Sequence, residues 1–319
     1  MRSSALGFRE IEHEEIRQAM SVLSRYIDAD ALNRLAGRGL EPQGLVLGNL
    51  AGGHRSPLAG FAVEFAGHRP YVAGDDPRHI DWRLYYTRDK LFIKQYEMET
   101  NFVCHLVLDV SASMNYGAGE ANKLAYASRL VGTLGYSIIK QNDKVALATI
   151  DDALRQSIAP GNSFAQVHRM VELLEGIDPA RATGLADGLL EFAARTGRRA
   201  IVMVFSDFFS DLSPLEAALQ QLRFRNHEVV LFQVLHPDEW EFPLRGLTRF
   251  VGLEQESNTE QMQAEDVRTG YMDALRQHVA ELDALCHRNR IELVAVNTGQ
   301  PAAESLANYL DERVRISRR

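Results

Sequence analysis

Phe102-Val103-Cys104-His105-Leu106-Val107-Leu108-Asp109-Val110-Ser111-Ala112-Ser113-Met114-Asn115-Tyr116-Gly117 is the stretch on which the reading of this 319-residue chain turns. Its first seven residues are mostly apolar, and their length and β-branched or aromatic content suit a buried strand. The run stops on an acid. Asp109, Ser111 and Ser113 then set a carboxylate and two hydroxyls at alternate positions. Three small oxygen ligands therefore fall just past a strand end, where open α/β sheets form their crevices. Hard cations such as Mg2+ and Ca2+ take ligands of this kind. Taken alone, Asp-x-Ser-x-Ser also reads as a strand followed by a capped turn.

Two later stretches extend the design. Ala200-Ile201-Val202-Met203-Val204-Phe205-Ser206-Asp207 is a second apolar run ending on an acid. Ala182-Thr183-Gly184-Leu185 puts a hydroxyl at the mouth of a helical pattern, where it either caps that helix or joins a cation site. The order Asp-x-Ser-x-Ser, then Thr, then strand-Asp resembles the metal-ion-dependent adhesion site (MIDAS) of von Willebrand factor A domains. Asp109, Ser111, Ser113, Thr183 and Asp207 match its positions. The resemblance implies Mg2+ as the bound ion, with Mn2+ or Ca2+ as substitutes. It also implies a partner protein that offers an Asp or Glu to an ion position otherwise held by water.

Outward from these loops, strand and helix patterns alternate. Lys123 to Lys140 carries Leu124, Ala127, Val131, Leu134 and Ile138 at helical spacing, and its Gly132 and Gly135 predict a close approach to the sheet. Lys144 to Ile150 reads as a strand, followed by Asp151-Asp152 as a turn or an outer contact with the site. Further helices are predicted at Ser163–Leu174, Leu185–Ala194, Pro214–Phe224, Val267–Asn289 and Pro301–Arg313, and strands at Glu228–Leu235 and Ile291–Asn297. The alternation predicts an α/β domain over residues 99–319: a von Willebrand factor A-like, doubly wound, mostly parallel sheet with helices on both faces. Phe208 and Phe209 are read either as a binding rim or as residues tucked under the loop. Between residues 236 and 266 the pattern breaks into an acidic, aromatic insertion, a second candidate contact surface.

Residues 1–98 read as a smaller N-terminal α+β region. A helix is predicted over Ile11–Leu35, ended by Gly37 and Gly39, with short strands at Leu45–Leu47, Phe61–Phe65 and Leu91–Tyr96. The block from Gly67 to Arg83 is dense in ionic and aromatic residues. It reads either as a catalytic loop or as a paired ionic network anchored by Tyr71 and Trp82, since buried charges must be paired. Within it, Arg69-x-Tyr71-x-x-Gly74-Asp75-Asp76-x-Arg78-x-Ile80-Asp81-Trp82, shortly before Asp-x-Ser-x-Ser-Met, resembles the signature of the bacterial family known as domain of unknown function 58 (DUF58). Members are von Willebrand factor A-like proteins commonly encoded beside MoxR-type AAA+ ATPases. The resemblance runs from about Leu45 to the last strand and implies a MoxR-type AAA+ ATPase as a partner in protein remodelling or complex maturation. It brings no settled biochemical activity. Many relatives carry N-terminal membrane helices, which have no counterpart in this sequence.

The net charge of −8 and pI near 5.7 argue against a nucleic-acid binder that works by neutralising phosphates. Arg313, Arg315, Arg318 and Arg319 read as a solvated helix terminus. Cys104 and Cys286 make neither a metal spacing nor a disulfide framework and read as buried apolar residues. Met1 to Gln18 mixes Arg, Glu and His without a signal-peptide core, and no apolar run approaches the roughly 18 residues of a membrane span. The expectation is a soluble, cytoplasmic protein. The rival to an adhesion module is a Mg2+-dependent hydrolase acting on phosphoesters. Against it, Asp109-Val110-Ser111 lacks the second acid of an Asp-x-Asp loop, and no Gly-x-Ser-x-Gly, Walker A or His-Glu-x-x-His sequence occurs. The sequence thus points to a metal-dependent binding adaptor, not an enzyme.

Overall fold

The computed structural model describes residues 21–36, 38–40, 63–72, 75, 77, 80–88, 90–98, 102–179, 184–252 and 259–317. The chain divides into two units, Met1–Val46 with Phe102–Arg319, and Leu47–Asn101. The expected strand at Leu45–Leu47 lies outside the described residues.

In the smaller unit, β1 (Val63–Pro70) and β2 (Phe92–Met98) pair antiparallel, with a register shift between Phe65 and Gly67. The paired-network reading of the Gly67–Arg83 block holds for its described residues. Arg69 grips Asp75 through two hydrogen bonds of 2.7 Å, and the guanidinium holds the Asp75 carboxyl down at about 2. Asp81 pairs with His68 at 2.8 Å and accepts from the backbone N–H groups of Arg83 and Leu84. That cap starts a helix at Trp82–Arg88, which the sequence reading did not foresee. Trp82 does not anchor the block: it is 55% exposed and meets Tyr85 edge-on.

The larger unit opens with residues 21–26 in helix, then a break at which Asp28 caps the Ala29–Leu35 helix. One helix was expected across this break. Its strands are β3 (Val103–Asp109), β4 (Lys144–Ile150), β5 (Leu154–Gly161), β6 (Ile201–Ser206), β7 (Glu228–Leu235), β8 (Leu247–Val251), β9 (Thr259–Gln263) and β10 (Glu292–Asn297). Six of them form one sheet in the order β10-β7-β6-β3-β4-β5, and every pairing is parallel except β4 with β5. This is the expected doubly wound α/β fold. Side chains of β3 and β6 are buried from Leu106 to Leu108 and from Ile201 to Ser206, as parallel strands covered on both faces must be. From β3 the chain winds outward through β4 and β5, then returns to the other side of β3 with β6. The order therefore reverses between β3 and β6, and the crevice at such a switch point opens at the carboxyl ends of the strands.

Several expectations change. β5 was not foreseen, because its outer face is solvated and only Leu154 and Ile158 give it an apolar signal. Asp151-Asp152 is a turn, its acids paired with Arg155. A Cβ on Gly132 would lie 2.3 Å from the Tyr26 carbonyl oxygen, so this glycine admits the N-terminal segment and not the sheet. One on Gly135 would lie 2.4 Å from Met170 and 3.6 Å from Leu106 of β3. The 236–266 insertion holds a helical turn at Pro237–Glu241 and the β8–β9 hairpin, and the long helix starts at Ala264. Arg313 is buried, not solvated: Glu228, Glu292 and the Tyr309 hydroxyl surround it. Both cysteines are buried, and burial pushes their thiols up, Cys286 to about 12. No helix among the described residues is long and apolar enough to cross a membrane.

Candidate functional site

Asp109 ends β3, and the next backbone N–H, of Val110, still donates to Ile150 of β4. The chain then leaves the sheet under the control of the Asp109 side chain. Its Oδ1 accepts the Ser111 N–H at 2.9 Å, a local turn that short acids favour. A 3-10 turn follows at Ala112–Asn115 and brings the Ser111 and Ser113 hydroxyls within 3.1 Å of each other. On the neighbouring strand, Ser206 closes β6 and donates from its hydroxyl to Asp109 Oδ2 at 2.6 Å. Asp207 follows, and its Oδ1 accepts the Phe209 N–H at 3.2 Å. Between them Phe208 sits at φ 57, a left-handed conformation that costs a bulky residue about 1–3 kcal/mol. Phe208 is fully buried, tucked under the loop, while Phe209 is 37% exposed.

Four of the five residues picked from sequence thus fall at the switch point, on the loops leaving β3 and β6. Thr183 lies outside the described residues. Next to it, Gly184 is the N-cap of the Leu185–Arg195 helix, and a Cβ there would meet Asp152 at 2.7 Å.

The sequence reading missed Lys123. This lysine opens the Lys123–Lys140 helix, is 1% exposed, and donates at 2.8 Å to both Asp207 Oδ2 and Glu239 Oε1. The Phe209 and Tyr116 rings flank its ammonium, with centroids 5.5 and 5.9 Å away. Burial alone would pull its pKa down, but Asp207 and Glu239 outweigh that and raise it. One signal was available: a cation in the first turn of a helix opposes the helix dipole and needs a local acid to hold it. Ser206 and Glu239 were missed as well, Ser206 hidden inside an apolar run and Glu239 in a segment with no periodicity.

The electrostatics are unbalanced. Burial, then the charge of Asp207, pushes the Asp109 carboxyl up to about 6 against the hydrogen bonds from Ser206 and Ser111. Asp207 and Glu239 share the single Lys123 ammonium and Asp109 stands beside Asp207, so three acids and one cation leave a surplus of two negative charges when all are ionised. The donor set fits a hard divalent ion. Two ligands at 2.0–2.1 Å on adjacent corners of an octahedron stand about 2.9 Å apart, close to the Ser111–Ser113 hydroxyl spacing. Asp207 is partly committed to Lys123. Among the described residues there is no group of three or more His, Cys, Asp or Glu side chains placed to hold a metal ion, so an ion here would lean on hydroxyls and water.

The sequence profile described as "Protein of unknown function DUF58" matches residues 67–281. An uncharacterised protein of Mycobacterium tuberculosis is 24% identical over 202 residues, which cover 61% of this chain and 62% of the relative, less than two-thirds of its length. An aerotolerance-related membrane protein from Bacteroides fragilis superposes with a TM-score of 0.44 at 16% identity, over 67% of this chain and 98% of that one. The SpRpn10 VWA domain gives a TM-score of 0.39 at 13% identity, over 66% and 95%.

Proposed function

This chain belongs to the DUF58 family, and we propose that it is a protein-binding adaptor that uses a divalent cation to hold an acidic residue of its partner. The observation that most supports this is the hydroxyl pair of Ser111 and Ser113 beside the buried Asp109, where negative charge is in surplus. Asp109, Ser111 and Ser113 would hold the ion, with Asp207 close by and Thr183 completing the set. When bound, Mg2+ supplies an electrophilic position that an incoming carboxylate can take in place of water. The chain's own residues do the rest. Ser206 fixes the Asp109 carboxylate in place, and Lys123 holds the Asp207 carboxylate.

In this reading the co-worker is a MoxR-type AAA+ ATPase, and the complex remodels or matures a client protein. That part rests on the sequence resemblance alone. The test is association between the pure chain and a MoxR-type ATPase from the same genome, followed by light scattering or biolayer interferometry. Expected is binding in Mg2+ that is lost with EDTA and in Asp207→Ala. Binding unchanged by both would overturn cation-mediated adhesion, and Mg2+-dependent phosphoester turnover lost in Asp109→Ala would favour the hydrolase.

A further inference from the structure

The helical turn Pro237–Glu241 leans on the site loop at several points. Glu239 gives one carboxylate oxygen to Lys123 and the other to its own N-cap, the His236 N–H, at 2.7 Å. Asp238 accepts from the Tyr116 hydroxyl at 3.2 Å, and the His236 ring meets the Tyr116 ring edge-on at 5.1 Å. Two glycines make room for the seat: a Cβ on Gly117, at φ 94, would lie 2.8 Å from the His236 ring, and one on Gly299 would lie 2.7 Å from Pro237. Without a side chain at either place, the turn comes down onto the loop that carries Ser111 and Ser113.

The same seat has weak points. Phe242 ends the turn in the left-handed region at φ 44, which a bulky residue adopts only under constraint. The Trp240 indole N–H is buried with no hydrogen-bond partner, an unmet donor that opening would let water satisfy. Lys123 does not need the turn to stay in place, since Asp207 holds it independently. Of the contacts that hold the turn down, Glu239 on Lys123 is the one between opposite charges, and it is exchangeable for another carboxylate.

That carboxylate is the chemistry an acidic partner would bring. We propose that Pro237–Glu241 is a lid carrying a built-in pseudo-ligand: Glu239, held on Lys123, closes the turn over the Ser111–Ser113 loop, and a partner's Asp or Glu displaces it on the way to the cation. The partner half rests on the adhesion reading. The lid half does not.

Trp82→Phe leaves Trp240 as the sole tryptophan of the chain, so acrylamide quenching reports on the lid without metal or partner. Glu239→Gln removes the charge yet keeps an acceptor for the His236 N–H, so the local fold is retained. It should raise the quenching constant at least about twofold, as expected when a local closure is released. In Mg2+, a fluorescein-labelled hexaglutamate peptide should bind the Glu239→Gln chain at least about threefold tighter than the parent, because the competitor is gone. Lys123→Met should open the lid equally but bind the peptide more weakly than Glu239→Gln. Unchanged quenching in both variants would overturn the lid, and equal or absent peptide binding in parent and Glu239→Gln would overturn the pseudo-ligand. Tighter peptide binding that persists in EDTA would uphold the lid and contradict the cation, so the two readings fail separately.

Discussion

At the edge of the sheet where the parallel strands begin, Arg313 is buried among Glu228, Glu292 and the Tyr309 hydroxyl; at the edge where they end, Lys123 is buried between Asp207 and Glu239. Both clusters shut a cation away from water with two carboxylates, so burial of charge does not by itself mark a site. The first cluster draws its acids from the regular strands β7 and β10 and its cation from the Ala302–Ser317 helix. The second draws on strand ends, a helix start and a loop turn. It adds a third acid, Asp109, with no cation of its own, a hydroxyl pair, and left-handed phenylalanines at 208 and 242. Surplus negative charge and the hydroxyl pair set the second cluster apart; left-handed backbone does not, since Asn226 and Arg290 adopt it two positions before Glu228 and Glu292.

The difference is sharpest if each cation is removed in turn. Arg313→Met should cost about 3–5 kcal/mol in urea unfolding, whatever the Mg2+ concentration, because two half-buried acids lose a buried cation that both engage. Lys123→Met should cost a similar amount, about 3–5 kcal/mol, without Mg2+. Its deficit should shrink as Mg2+ is added, because loss of the ammonium leaves the site more negative and the variant binds the ion more tightly than the wild type; tenfold tighter binding restores about 1.4 kcal/mol at saturation. The same Mg2+ response in both variants would erase the distinction.

A smaller effect belongs to the strand-start edge. Burial, and then the charge of His227, lowers the His105 pKa to about 4, and its ring packs edge-on against Phe192. The folded chain therefore binds fewer protons at this residue than the unfolded chain, whose His titrates near 6.5. Stability should fall as pH drops from about 6.5 toward 4, by about 3 kcal/mol in all. His105→Leu should flatten that segment of the pH–stability curve measured by urea unfolding, and a wild-type slope in the variant would remove His105 as the cause.

The smallest effect is expected at Asp109. Asp109→Asn keeps acceptor and donor atoms near Ser206 and Ser111 while removing a buried like charge beside Asp207. Metal-free stability should stay level or rise by up to about 1 kcal/mol. A loss of several kcal/mol would put Asp109 among the structural acids of the other edge.

Much of this arrangement was legible in the sequence, and the reasons are local. β3 and β6 announce themselves because a strand buried on both faces is a continuous apolar run, and each stops on an acid where the sheet ends. The Ser111 and Ser113 pair is read from spacing alone because a single turn brings alternate residues together. Lys123 and Glu239 are 116 residues apart, and only the placement of two loops at one sheet edge joins them. β5 hid because an edge strand with one solvated face has no continuous run, and Arg313 because a charged residue near a helix end looks solvated until its acids on β7 and β10 are placed beside it. The Trp82–Arg88 helix starts from one short cap motif at the end of a charge-dense block and shows no long apolar period.

Isothermal titration of Mg2+ into the metal-free chain, wild type against Asp109→Ala, tests the cation most directly. One saturable site per chain, abolished in Asp109→Ala and weakened at least about tenfold in Ser111→Ala, is the predicted result. No Mg2+ heat from the wild type, or the same affinity in Asp109→Ala, would contradict it.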